Sequence, residues 1–201
     1  MANNISFNPA LTTSAINSFL LETQGYVQGA FYNDDPAIRM QLTAGQLAST
    51  VAQPIWGGMA ISKIVQPINQ SGLGNSIVLA TSDANLGGFT VFNQAYNMMI
   101  VPGNSVPIAV ANMTVNYFSL GSNAQIVVLC DSAVAAAIEG GFTNQQLSWD
   151  YVNQQLIPYN ATIGALPVQV LKANNNSKVV SYNSTTGLVT WTTGAACVIQ
   201  I

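Results

Sequence analysis

Ionisable chemistry is scarce in this chain: seven acidic side chains, four basic ones and no histidine among 201 residues. Without histidine the commonest general base and metal ligand is missing. Neither a Ser-His-Asp nor a Cys-His nucleophile can be assembled. No phosphate-binding glycine loop, no GxSxG elbow and no GxGxxG turn occurs. Carboxylates are what remains. Asp34 and Asp35 are adjacent, so in an extended chain they face opposite ways. A calcium or carboxylate site there competes with a solvated turn before Pro36, and the turn is the better reading. Asp131, Glu139 and Asp150 could form a glycosidase pair only by converging, and their spacing gives no reason to converge. Cys130 in "IVVLCDS" and Cys197 in "AACVIQI" sit in apolar surroundings and read as two buried thiols acting as small hydrophobes. The sequence leaves their pairing open. With no CxxC and no Cys/His cluster, zinc is not indicated. The expectation is a non-enzymatic protein with no catalytic residues, no cofactor and no metal.

Sequons at Asn4, Asn112, Asn160, Asn175 and Asn183 arise by chance in a chain rich in Asn and Thr. Tyr, Trp and Asn together raise a carbohydrate-binding module as an alternative. The plainer reading places Trp56, Trp149 and Trp191 in or near the core.

Something must hold these residues in place, and at 21.1 kDa the chain is long enough to bury a core. Charged residues are 5% and hydrophobic ones 49%, where an ordinary soluble domain carries about 25% charged. Polarity comes from Asn, Gln, Ser and Thr. A net charge of -3 does little to keep copies apart, which suits close contact with other proteins. Arg39, Lys63, Lys172 and Lys178 are scattered, so nucleic acid is not an expected partner. Residues 84–130 carry no charge, yet Asn93, Gln94, Asn97, Pro102, Asn104, Pro107, Asn112 and Asn116 interrupt them. A spanning helix needs about 20 apolar residues without such breaks, so no membrane is expected. "MANNISFNPALTTS" has neither a basic start nor an apolar stretch of the signal-peptide kind, so export by the usual route is not expected.

Residues 1–35 read as an arm. Thr12, Thr13 and Ser14 precede Ala15, Ile16, Phe19 and Leu20 at helical spacing, while Pro9, Gly25, Gly29 and Pro36 cut the stretch into short pieces. Residues 36–201 read as a β-rich domain. Strands are expected at residues 59–65, in "NSIVLATS", after Gly87-Gly88, and in "AQIVVLC". "PGNS" has the form of a type II turn. In "SVPIAVANMTVNYFS" the alternation changes phase at Asn112, which predicts a bulge or bend within two residues of it. "DSAVAAAIEGG" predicts a short helix capped by Asp131 or Ser132 and ended by Gly140-Gly141. "LSWDYVNQQLIPY" and "VSYNSTTGLVTW" predict two hairpins, and residues 196–201 a last strand. The sum is mainly β: a compact β-barrel or β-sandwich domain with an extended N-terminal arm and at most one or two short helices.

In order, the chain presents an Asn/Ala/Pro arm, "FYNDDPAIRMQLTAGQLASTVAQPIWGGMAIS", "GGFTVFNQ", "MMIVPGNSVPIAVAN", "NYFS" and "GLVTWTTG". This order resembles the cement or decoration proteins of tailed-bacteriophage heads, notably the structural cement family of short-tailed phages. "DSAVAAAIEGGFTNQQ" stands as extra material beside the smaller members. The resemblance implies a protein made in the bacterial cytoplasm and carried on the capsid's outer surface. There it would bind the major capsid protein and copies of itself, as a homotrimer, and bridge neighbouring capsomers. The arm would lie on the capsid or on a neighbouring copy, and Phe19, Leu20, Tyr26, Phe31 and Tyr32 are its expected anchors, because aromatic and aliphatic side chains dominate interfaces. Other expected roles are a shell-forming capsid protein or a head-fibre or tail adhesion module.

Overall fold

The computed structural model describes residues 25–32, 35–65, 75–91, 106–141 and 144–201. Phe19, Leu20 and the "PGNS" turn lie outside them. The elements run α1 (Pro36–Arg39), β1 (Thr43–Leu47), β2 (Ala60–Val65), β3 (Asn75–Leu79), a 3-10 turn at Asp83–Asn85, β4 (Gly88–Thr90), β5 (Thr114–Ser119), β6 (Gln125–Leu129), α2 (Ser132–Glu139), β7 (Leu147–Asp150), β8 (Gln155–Pro158), β9 (Gln169–Asn183) and β10 (Leu188–Gln200). The fold is mainly β and contains a closed five-stranded barrel, as the sequence leads one to expect.

Three sheets share the work. The barrel closes in the order β1-β3-β2-β4-β5, antiparallel throughout except for β1 against β3. A three-stranded sheet runs β6-β10-β9, and β7 pairs with β8 in a hairpin. Strand alternation feeds two cores at once. On β5, Val115 and Tyr117 join a cluster with Leu47, Ile61 and Ile77, while Phe118 turns to the other face. There it meets Phe89, Trp149, and Ile126 and Val128 of β6. The apolar run of β6 is buried at its three central residues, as a strand covered on both faces should be.

Local signals explain most elements. The carboxylate of Asp131 accepts the Ala133 amide at 2.7 Å to start α2, and Gly140 ends it. Helix α1 was not expected; Asp35 caps it and Pro36 begins it, a combination that overrides the strand-like residues after it. The bend at Asn112 is present, and it separates rather than bulges. Asn112 takes φ 69°, a left-handed conformation that Asn tolerates. On one side Ala109 makes an isolated bridge to Ile55; on the other β5 begins at Thr114. The closing hairpin and the last strand, expected as separate strands, are one. β10 pairs with β9 along its whole length, with register irregularities between Gly194 and Ala196 and between Val198 and Ile199; the first falls where the two expected strands join. Gly194 suits that first one, because a Cβ there would sit 2.7 Å from Val179 Cγ2.

Residues 25–32 perform the closing step. β6 and β9 are the outer strands of their sheet, and each leaves a row of unpaired backbone groups. The segment reaches both. Lys178 N donates to Tyr26 O at 2.7 Å and Gln28 N to Lys178 O at 2.9 Å, on β9. Gly29 N then donates to Val127 O at 2.7 Å, Val127 N to Ala30 O at 3.0 Å and Tyr32 N to Gln125 O at 2.8 Å, on β6. The crossover hinges on Gly29, at φ 82°, where a Cβ would meet Gly57 Cα at 2.4 Å. Gly29→Ala should therefore cost about 3 kcal/mol, combining backbone strain with a clash. Gly187→Ala, at φ 71° with nothing near its missing Cβ, should cost only about 1 kcal/mol. Denaturant unfolding of the two variants measures the difference.

Candidate functional site

The described acids are taken up by their own fold. Asp35 accepts from Ala37 N at 2.8 Å and Asp131 from Ala133 N at 2.7 Å. Glu139 accepts from Asn175 N at 3.3 Å and from its side-chain amide at 3.1 Å. Asp83 accepts from the Tyr151 hydroxyl. Asp150 accepts from Val152 N at 2.9 Å, Asn153 N at 3.0 Å and Asn153 Nδ2 at 2.7 Å. Asp131 and Glu139 stand at opposite ends of α2, about 12 Å apart at 1.5 Å per residue. Among the described residues no group of three His, Cys, Asp or Glu could hold a metal ion. Cys130 and Cys197 are both free and buried. A hydrogen bond with Cys197, then burial, hold the Cys130 thiol far above its ordinary range, which leaves it a poor nucleophile.

Three of the five expected anchors are described. Phe31 stacks on Phe118, ring centroids 4.9 Å apart and 19° between planes, with the Arg39 guanidinium 5.8 Å from its centroid. Tyr26 is half-buried against the cluster of Val127, Val179, Ala196 and Val198. Tyr32 meets Tyr26 edge-on at 5.8 Å, lies under the Lys172 ammonium at 5.3 Å and stays 43% exposed. Trp56 and Trp149 are buried, and Trp191 packs against the cluster around Trp56.

A cavity of about 150 Å³ lies where the stitching segment, the barrel and two hairpins meet. Gln154 sets one side. It takes φ 54° in the β7–β8 turn and is buried; its Oε1 accepts Ala60 N at 2.8 Å and its Nε2 donates to Tyr151 O at 2.9 Å. The turn is thereby pinned to β2, with Val152 at the tip 88% exposed. Gln28 sets the opposite side, its Oε1 accepting Val180 N at 2.8 Å. Trp56 and Tyr182 add an aromatic pair, 5.7 Å between centroids and tilted by 44°. No lining residue is charged. Two residues that line the cavity each carry a nitrogen, Gln28 Nε2 and Trp56 Nε1, that is buried without a hydrogen-bond partner, an expensive state for two donors.

Sequence reasoning missed this cavity. Its wall joins residues 28, 56, 154 and 182, which no local pattern links. The one signal was Trp56, whose N–H requires a partner once the ring is placed in the core. No family model, no curated protein and no solved structure matches the chain.

Two outcomes follow. Burial alone would raise the Asp150 pKa, but the three hydrogen bonds from Asn153 and Val152 outweigh it and hold the carboxyl below its ordinary 3.8. The bonds therefore stabilise the fold above the unfolded-state value and are lost as pH falls through the lower folded value. NMR titration should place the Asp150 midpoint below 3.8, with amide protection at Val152 and Asn153 disappearing through the same range. Gln154→Ala strands the buried Ala60 amide and should cost about 1–3 kcal/mol in urea unfolding.

Proposed function

We propose that this chain is a non-enzymatic structural protein of a virus particle, a cement protein that binds the outer surface of an icosahedral phage capsid. It bridges neighbouring major capsid protein subunits and sits there in clusters of its own copies, as trimers. The observation that carries the reading is where the charge goes. All five described acids are held in the chain's own hydrogen bonds, while large apolar side chains such as Met40, Ile64 and Val110 stand exposed. A surface that offers neutral polar groups and scattered apolar ones suits many weak contacts repeated by symmetry, where avidity multiplies each small affinity. The motif order quoted above supports the same reading.

A head-fibre or tail adhesion module is the second reading, favoured by the cavity beside Gln28 and Trp56.

Purified, undecorated phage heads provide the test. The full chain should co-sediment with heads and raise their melting temperature, and it should not form shells alone. Deletion of residues 1–24 spares the backbone stitch of residues 26–32 and should keep the fold while weakening retention on heads about tenfold or more. Equal retention overturns the arm's role; failure of the full chain to bind heads overturns the cement reading.

A further inference from the structure

We propose that the cavity between Gln28, Trp56 and Tyr182 is a binding site for one unit of an uncharged sugar. At about 150 Å³ it far exceeds the space for a single water, which needs roughly 10–15 Å³, and it approaches the size of one six-membered sugar ring with its hydroxyls. Its hydrogen-bonding balance is lopsided. Gln28 Oε1 is already taken by Val180 N, while Gln28 Nε2 and Trp56 Nε1 donate to nothing. The occupant must therefore bring acceptors. It must also be neutral, because no charged side chain lines the space to balance an ion.

Sugar hydroxyls fit the remaining wall. They accept and donate at once, as do the carboxamides of Gln53 and Asn153. The half-buried Tyr182 ring, beside Trp56, offers an apolar face for the C–H side of a sugar ring. A peptide carbonyl would satisfy the two donors but supply no hydroxyls for Gln53 and Asn153. Both orphan nitrogens are themselves buried, so binding includes a small turn of the Trp56 indole, or of the Gln28 carboxamide at the expense of its bond from Val180 N. The site rests on neither functional reading above, and its test uses the isolated full chain, so failure on phage heads leaves its outcome untouched.

Indole N–H signals in a nitrogen-15 NMR spectrum report on it directly, with Trp56 assigned by its loss in Trp56→Phe. The probes are glucose, galactose, mannose and N-acetylglucosamine at millimolar concentrations, with N-methylacetamide as the peptide-like arm and acetate as the charged one. At least one sugar should move the Trp56 signal saturably and leave Trp149 and Trp191 in place. Tyr182→Ala should weaken that sugar about tenfold. If this variant unfolds, Gln53→Ala, at a half-buried loop residue on the same wall, should show the same loss. No shift with any of the four sugars, an equal shift with N-methylacetamide or acetate, or unchanged affinity in the folded variant overturns the proposal.

Discussion

Everything in this fold depends on one short crossing of backbone. A sheet ordered β6-β10-β9 has two open edges, and residues 26–32 bond to both, at Lys178 on one and at Val127 and Gln125 on the other. Five backbone hydrogen bonds are modest one by one, at about 1 kcal/mol each. Their leverage is geometric. They carry Phe31 onto Phe118 and Gln28 onto Val180, so the first described segment becomes part of the core and of the cavity wall. Between these placements stands a glycine pressed on Gly57, which accepts no side chain.

Charge scarcity shapes the rest. With few ion pairs to draw on, the chain uses carboxylates and carboxamides as connectors. Asp131 starts a helix, Asp150 ties a turn, Glu139 holds Asn175, and Gln154 pins a hairpin to the barrel. The barrel is closed and the outer strands of the second sheet are bonded by residues 26–32. Where strand edges are covered in this way, contacts with other proteins fall to side chains. Tyr32, Ile64 and Val110 are among those that remain outside.

Local chemistry was legible in the sequence and long-range closure was not. The α2 helix, the two hairpins, the break at Asn112 and the burial of Trp56 and Trp149 each follow from a handful of neighbouring residues. The one-piece β10 did not, because Gly194 looks like a terminator until its fit against Val179 is seen. Helix α1 hid in an Asp-Pro pair beside strand-like residues. The parallel pairing of β1 with β3 and the stitch of residues 26–32 depend on partners far along the chain, and no periodicity reports on those. The cavity inherits that opacity, since it exists only once residue 28 lies beside residue 180.

That distance in sequence has a consequence for the order of events in the cell. Tyr26 and Ser177 are 151 residues apart, and Gln28 and Val180 are 152 apart. A ribosome adds roughly 5–20 residues each second, so the stitching segment emerges many seconds before the strand it must join. The barrel and the β7–β8 hairpin can form on the ribosome from contacts already available, and β9–β10 can zip up as a local hairpin afterwards. The last stitch waits for both. Residues 29–32 can bond β6 as soon as it is made, but until β9 follows, the bonds of Tyr26 and Gln28 to Lys178 are unmade, and the newly made chain bares backbone groups that the finished fold covers.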